Sequence, residues 1–384
     1  MKFGLRLAVA AISAICIVFI MSMTKETGTR QLRQLLGRVS RHAISNNSIF
    51  LSHNHMNSHV VRVNSDDVIH LAFVVCGKDR VEESLVMVKS AVLFTRAPLS
   101  LHVITDPELI ATFNTELEKW KSDSGRFQYN VSKVSFPADR GSQWRSLFKL
   151  CAAQRLFLPE MLAEVDAILY VDTDTLFLRP IDDLWNFFNL MNSSQMAALT
   201  QEQEDAGIGW YNRFARHPYY GKLGVNSGVM LMNLTQMRQF GWTRKITQYY
   251  FKYRHNITWG DQDLINILFS FYPEKLYVYP CEWNFRSDHC VYRMVCQSAQ
   301  DRGASVVHGV RSAFHLEKHM VFKTVYQAML QYKFGDDLER SLLDPIERNL
   351  SRLANTNCGK VRHVFTQRLN ETIRQSRASK YPGS

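Results

Sequence analysis

Two aspartates one residue apart close the apolar run in "AILYVDTDTLFLRP", residues 167–180. Such a run reads as a strand buried on both faces of a parallel sheet, where an ionised carboxylate is costly unless something neutralises it. Asp172 and Asp174 at that strand's end bring oxygen donors to one point, as a hard cation such as Mn2+ or Mg2+ requires. The plainer alternative is a turn or helix cap with solvated carboxylates. His308 ends a second apolar run, "VVHG", either as a hydrogen-bonded core imidazole or as a third ligand. "WGDQDLIN" sets Asp261, Gln262 and Asp263 at the opening of a helix, where an aspartate also serves as an N-cap. "GVNSGVMLMN" puts Asn226 and Ser227 before a strand, as an ordinary turn or as a polar lip for a sugar. Lys149 and Arg155 share the amphipathic stretch "FKLCAAQRLFLPE", where cations are commonplace and where a phosphate or sugar clamp would also need them.

Positioning these groups falls to an alternation of strands and helices. Val68 to Cys76 reads as a strand, "RVEESLVMVKSAVLF" as a helix, "LSLHVITD" as a second strand and "ATFNTELEKWKSD" as a second helix. A short strand in "FQYNVSKVSF" and a long helix from about Ser146 to Leu162 precede the "AILYVDTD" strand. Later come a strand in "VNSGVMLMNL", a loop opening into a helix at "WGDQDLINILFSF" and a short strand ending at His308. This alternation predicts an α/β fold with a mainly parallel sheet, whose ligands bind at the carboxyl ends of strands. After residue 320 an apolar helix gives way to a polar, charged tail. No internal repeat occurs, and no linker divides the folded region, which predicts one catalytic domain over 67–330 and a C-terminal helical extension over 331–384.

The 384 residues suffice for a sizeable core. A net charge of +11 invites a nucleic-acid reading, but Lys and Arg are dispersed without a basic stripe, which argues against such a partner. Lys2 and Arg6 precede an uncharged, mostly apolar segment over residues 7–23, with no small-residue cleavage site after it. That pattern predicts a cytoplasmic tail at 1–6, a signal anchor at 7–23 and a Ser/Asn/His/Arg-rich stem at 24–66, with the remainder luminal in the ER or Golgi. Asn-x-Ser/Thr acceptors at Asn46, Asn130, Asn192, Asn233, Asn256, Asn349 and Asn370 suit that route, Asn233 being too deep in an apolar run for modification. Of the seven cysteines, Cys16 lies in the anchor. Cys281, Cys290, Cys296 and Cys358 are expected to form one or two disulfides in an oxidising lumen, and Cys76 and Cys151 to be buried free thiols.

The ordered run "VVCG", "QRLFLPEMLAEVDAILYVDTDTLFLRP", "NSGVMLMNL", "WGDQDLIN" and "VVHG" resembles the family 8 retaining glycosyltransferases. "IGWYNRFARHPYYGKLGVNSGVMLMN", "NITWGDQDLIN" and "PCEWNFRSDHCVYRMVC" look more closely like the glucoside xylosyltransferases, over roughly residues 68–365. The resemblance implies a GT-A type, Rossmann-like nucleotide-sugar fold and a type II membrane enzyme. It also implies transfer of xylose from UDP-xylose, in α1,3 linkage, to glucose O-linked on EGF repeats of the Notch kind. By the same resemblance Asp172, Asp174 and His308 hold Mn2+ (or Mg2+), and Val75, Cys76 and Gly77 hold the uridine. Arg155 reaches the donor sugar and a metal-site carboxylate, Thr173, Asn226 and Ser227 line the donor, and Asp261 and Gln262 stand beside the anomeric carbon. Many relatives follow the histidine with Gly and then a diphosphate-binding Lys. This chain reads "HGVRSAF", with Arg311 as the available substitute. A related enzyme with another UDP-sugar donor or a xylose acceptor, and a non-catalytic luminal binding protein, are the competing readings.

Overall fold

A computed structural model describes residues 61–380 except 65–66, 125–126, 138–140, 148 and 150. The expected tail and anchor, most of the stem, Cys16 and Asn46 lie outside the described residues. Among the described residues no helix is long and apolar enough to cross a membrane.

Strand β1 (Ile69–Val75) is followed by helix α1 (Val81–Phe94), strand β2 (Leu99–Thr105), helix α2 (Ile110–Ser124) and strand β3 (Phe127–Lys133). Each crossover returns the chain parallel, β1 lying between β2 and β4 (Ala167–Val171). β5 (Thr175–Phe177) leaves the aspartate pair for a second, smaller sheet. β6 (Ala197–Gln201) and β7 (Val225–Asn233) precede helices α3 (Trp242–Tyr253) and α4 (Asp261–Phe271). With β8 (Leu276–Val278) the main sheet reads β3-β2-β1-β4-β7-β6-β8, and β7 runs antiparallel to both neighbours. β9 (Phe285–Arg286) and β10 (Val306–His308) complete the small sheet, in the order β5-β10-β9. Helices α5 (Met320–Gln331), α6 (Asp344–Ser351) and α7 (His363–Lys380) end the fold.

The two-residue side-chain period divides the central strands between two cores. Leu71, Phe73, Leu169 and Leu231 pack with Met87, Val88, Phe113 and Leu117 on one face. Ile168, Tyr170, Met230 and Met232 pack with Trp242, Leu264 and Phe269 on the other. β4 and β7 are buried throughout, so their continuous apolar runs follow from having both faces covered. A third core joins α1, the small sheet and α5–α7 through Val86, Val307, Phe322, Phe365 and Leu369. Lys89, buried on α1, crosses into it and donates to the carbonyls of Met329, Leu330 and Tyr332 at 3.1, 2.9 and 2.8 Å, closing the C-terminus of α5.

Three expectations change. The long helix from Ser146 to Leu162 does not form: a short helix at Gly141–Arg145 is followed by a 3-10 stretch at Ala152–Phe157 and one turn at Leu158–Met161. Cys151 breaks it by adopting φ 62, in the left-handed region. Cys151 and Cys76 are not free thiols but a disulfide, which fastens this irregular segment to the end of β1. The segment after residue 331 is not simply a polar tail, because Ile346, Leu350, Val364, Phe365, Leu369 and Ile373 are buried in the third core. Of the one or two disulfides expected of that set, two form, Cys281–Cys296 and Cys290–Cys358, and Asn233 is buried, accepting the Gln236 N–H as the cap of a helix. Since Cys76–Cys151 closes a 75-residue separation, replacing both by serine is expected to lower unfolding stability by about 2–4 kcal/mol in a urea titration; an unchanged midpoint would show that the link constrains nothing.

Candidate active site

Strand register brings the site together. Val171 stands opposite Val229, so the Asp172 N–H just beyond β4 donates to the Gly228 carbonyl at 2.8 Å. His308 stands opposite Thr175, the residue after Asp174. Its Nε2 therefore lies 3.1 Å from Asp174 Oδ1 and 3.7 Å from Asp172 Oδ2. A donor atom from each of the three lies within 4.8 Å of the others, the chemistry of a divalent-cation site. Gly228 makes room for the ring, since a Cβ there would sit 2.1 Å from His308 Cε1. Burial works to raise the Asp174 carboxyl, but the imidazole beside it and the Lys149 charge prevail and hold it below the ordinary value.

Arg155 is the second organising group. Its Nη2 lies 2.6 Å from Asp172 Oδ1 and its Nε 2.6 Å from Asp261 Oδ2, while Nη1 donates to the Ser227 carbonyl at 2.7 Å. Arg155 is 4% exposed, and its guanidinium stacks on Tyr170, 4.4 Å from the ring centroid. Burial alone would favour the neutral form, but the flanking carboxylates reverse that and raise its pKa. Burial also raises the Asp261 carboxyl, against the pull of Arg155.

Gln262 follows on the first turn of α4. Its Oε1 accepts the Ser227 N–H at 3.1 Å and its Nε2 donates to the Tyr211 hydroxyl at 3.3 Å, so the amide is held from both ends. Tyr211 in turn donates to Asp263 Oδ1 at 2.8 Å, and burial, then the Asp263 charge, keeps its hydroxyl protonated. Asp263 Oδ2 accepts the Thr258 and Trp259 N–H groups at 2.6 and 2.7 Å, so the capping role falls to this aspartate and leaves Asp261 for the site. Asn266 locks α4 to β7, accepting the Val225 N–H and donating to the Val225 carbonyl, both at 2.8 Å.

The remaining candidates divide. Val75 and Gly77 stand at the end of β1, where the Gly77 N–H donates to Asp106 Oδ2 at 3.0 Å and Arg145 pairs with the other oxygen. Cys76 stands there too, bonded to Cys151. Thr173 touches the buried Glu83, whose second oxygen lies 2.6 Å from His315 Nε2. Asn226 donates to Glu202 Oε2 at 3.1 Å. Arg311 is not drawn into the cluster: its guanidinium pairs with Asp288 and is half exposed.

Residues 71–308 match the family model for glycosyl transferase family 8. The chain belongs to that family. Mouse glucoside xylosyltransferase 1 is 46% identical to this glycosyltransferase over 325 residues, covering 82% of this chain and 80% of the mouse one. Xenopus laevis glucoside xylosyltransferase 2 is 44% identical, covering 80% and 76%. Among solved structures, the glycosyltransferase GlyE of Streptococcus pneumoniae matches the fold with a TM-score of 0.51 at 14% identity, over 74% of this chain and 64% of that one.

Several residues of this glycosyltransferase site escape a reading by strand ends and motifs. Tyr211, Glu83 and Asn284 belong to loops or helices whose partners are far away in the chain. Asp106 was within reach, because it follows the β2 run as Asp172 follows β4. Replacing Arg155 with Met leaves two carboxylates without their cation and is expected to cost about 3–5 kcal/mol of stability by urea unfolding. Arg155→Lys is expected to restore only part of it, since a point charge does not span both acids as the planar fork does.

Proposed function

We propose that this chain is a retaining xylosyltransferase that moves xylose from UDP-xylose, in α1,3 linkage, to glucose O-linked on EGF repeats of the Notch type. The observation that carries the reading is the 46% identity, over most of both chains, with a protein named glucoside xylosyltransferase 1. The intact Asp172, Asp174 and His308 set, with Gln262 held beside it, favours an enzyme over a binding protein that merely kept the fold.

Asp172, Asp174 and His308 would hold Mn2+, which would supply Lewis-acid countercharge to the leaving diphosphate. The protein's own groups do the rest. The bond from the anomeric carbon to phosphate breaks, the acceptor oxygen bonds to that carbon from the same face, and its proton passes to the departing phosphate oxygen. Gln262, fixed by Ser227 and Tyr211, aims its amide at the sugar on which positive charge develops. Asp261 is engaged by Arg155 and serves to hold that cation in place rather than as a covalent nucleophile. Val75, Cys76 and Gly77 receive the uridine, and Thr173, Asn226 and Ser227 the rest of the donor. Arg311 reaches the diphosphate only by leaving Asp288. For the acceptor glucose we assign the aromatic group beside Gln262. Trp210 lies 5.2 Å from Tyr211, 5.5 Å from Trp259 and 6.5 Å from the exposed Phe214, a surface that suits the apolar face of a sugar ring.

Residues 7–23 anchor the chain as a type II protein of the ER or Golgi membrane, with the catalytic domain and its C-terminal helices in the lumen. The three disulfides support an oxidising compartment. Asn130 and Asn192 are exposed acceptors available for glycosylation.

Purified full-length protein with Mn2+, a panel of UDP-sugars and an O-glucosylated EGF repeat is expected to add a pentose from UDP-xylose alone, and to stop on adding EDTA. Transfer from another UDP-sugar, or to a xylose acceptor, would replace the donor or acceptor named here, and the absence of turnover with every donor would sink the enzymatic reading. Trp210→Ala is expected to raise the acceptor KM by about tenfold, the loss of one stacking contact of about 1.4 kcal/mol, while leaving UDP-xylose hydrolysis without acceptor unchanged.

A further inference from the structure

Asn284 touches none of the groups that the reaction consumes, yet it joins two that do. It is 0% exposed, on a 3-10 turn just before β9, between Asn226 and His308. The direction of every bond in this group follows from one backbone amide. The Gly228 N–H can only donate, and it points at Asn226 Oδ1 from 3.0 Å, which fixes the oxygen end of that side chain. The Asn226 NH2 end then faces Glu202 Oε2 at 3.1 Å, an acceptor, as it should. The atom of Asn284 that meets Asn226 Oδ1 at 2.8 Å must be its NH2 group. Asn284 Oδ1 is thereby turned to His308 Nδ1, 2.8 Å away. A carbonyl oxygen only accepts, so Nδ1 carries a hydrogen, and Nε2 alone can offer a lone pair where Asp174 and Asp172 converge.

We propose that Asn284 is a positioning residue that sets the imidazole of His308 for a divalent cation and, through Asn226, ties that setting to the pose of the donor sugar. The proposal rests on the metal and donor assignments above. Ligating histidines commonly give their second nitrogen to a carbonyl or carboxylate, and such partners are worth 10- to 100-fold in metal affinity. Here the partner is an amide with two ends: its oxygen serves the metal side and its nitrogen the sugar side. Loss of the two ends should therefore be separable.

The test titrates Mn2+ into the full-length protein in detergent with saturating UDP, which carries the diphosphate but no sugar to meet Asn226, and follows free Mn2+ by electron paramagnetic resonance. Wild type is titrated first. If it binds no Mn2+, the metal reading fails and takes the proposal with it, an outcome distinct from any difference between variants. Asn284→Leu, which removes both ends, is expected to weaken Mn2+ by about 10- to 100-fold. Asn284→Asp keeps an acceptor for Nδ1 but sets a carboxylate against Asn226 Oδ1. It is expected to hold Mn2+ within a few-fold of wild type while raising the UDP-xylose KM at least tenfold. A merely structural role would lower the melting temperature of both variants without this split. Wild-type Mn2+ affinity in folded Asn284→Leu overturns the proposal. If that variant does not fold, Asn284→Asp decides: an unchanged donor KM, or Mn2+ affinity as poor as in His308→Ala, overturns it.

Discussion

The buried guanidinium of Arg155 is the contact on which the rest of the site depends. It comes from the irregular segment behind Cys151 and meets an oxygen from the end of β4, an oxygen from the first turn of α4 and a carbonyl of β7. A charge taken so far out of water is costly, and a buried ion group of this kind is weak evidence for stability in itself. What it secures is position. Asp172 gives Oδ1 to Arg155 and so keeps Oδ2 toward His308. One cation thereby fixes both oxygens of a carboxylate, one toward the guanidinium and one toward the imidazole.

The same two-residue spacing of aspartates occurs twice in this chain with opposite results. At residues 172 and 174 the backbone is leaving a strand, and both carboxylates come within reach of one imidazole. At residues 261 and 263 the backbone is helical, where residues two apart point to nearly opposite sides. Asp261 accordingly meets Arg155, while Asp263 takes the two N–H groups before the helix and the Tyr211 hydroxyl. Gln262 lies between them and is steadied through each: by Ser227, which Arg155 also holds, and by Tyr211, which Asp263 holds.

Much of this was legible in the sequence, for a definable reason. β1, β2, β4 and β7 are apolar runs, and period and strand-end logic recover these elements with Asp172, Asp174, Asn226 and Ser227 as candidates, whereas Val75, Cys76 and Gly77 rest on the family resemblance alone and Asp106 on neither. The segment from Ser146 to Leu162 carries a helical apolar pattern but not one helix, because the left-handed turn and disulfide at Cys151 outweigh local preference. That disulfide depends on which segment comes to lie beside β1, which no local pattern states. Asn284 was equally silent: a buried asparagine is ordinary until the directions of its partners are known.

The family match ends at His308, but the conditions for His308 do not. β10 is a three-residue strand in a three-stranded sheet, too little to hold a side chain in place without packing behind it. Val307 and Phe285 of that sheet pack with Phe322, Phe365 and Leu369, all from beyond residue 308. The Ala304 N–H donates to the Val364 carbonyl at 2.7 Å, Thr372 Oγ1 donates to the Leu178 carbonyl at 3.1 Å, and Cys358 is bonded to Cys290. A ligand set has to be held to within about half an ångström to be useful. In this chain the short strand that carries His308 is set between β5, which follows the aspartates, and C-terminal helices that supply its packing. The residues before and after His308 therefore position its imidazole together.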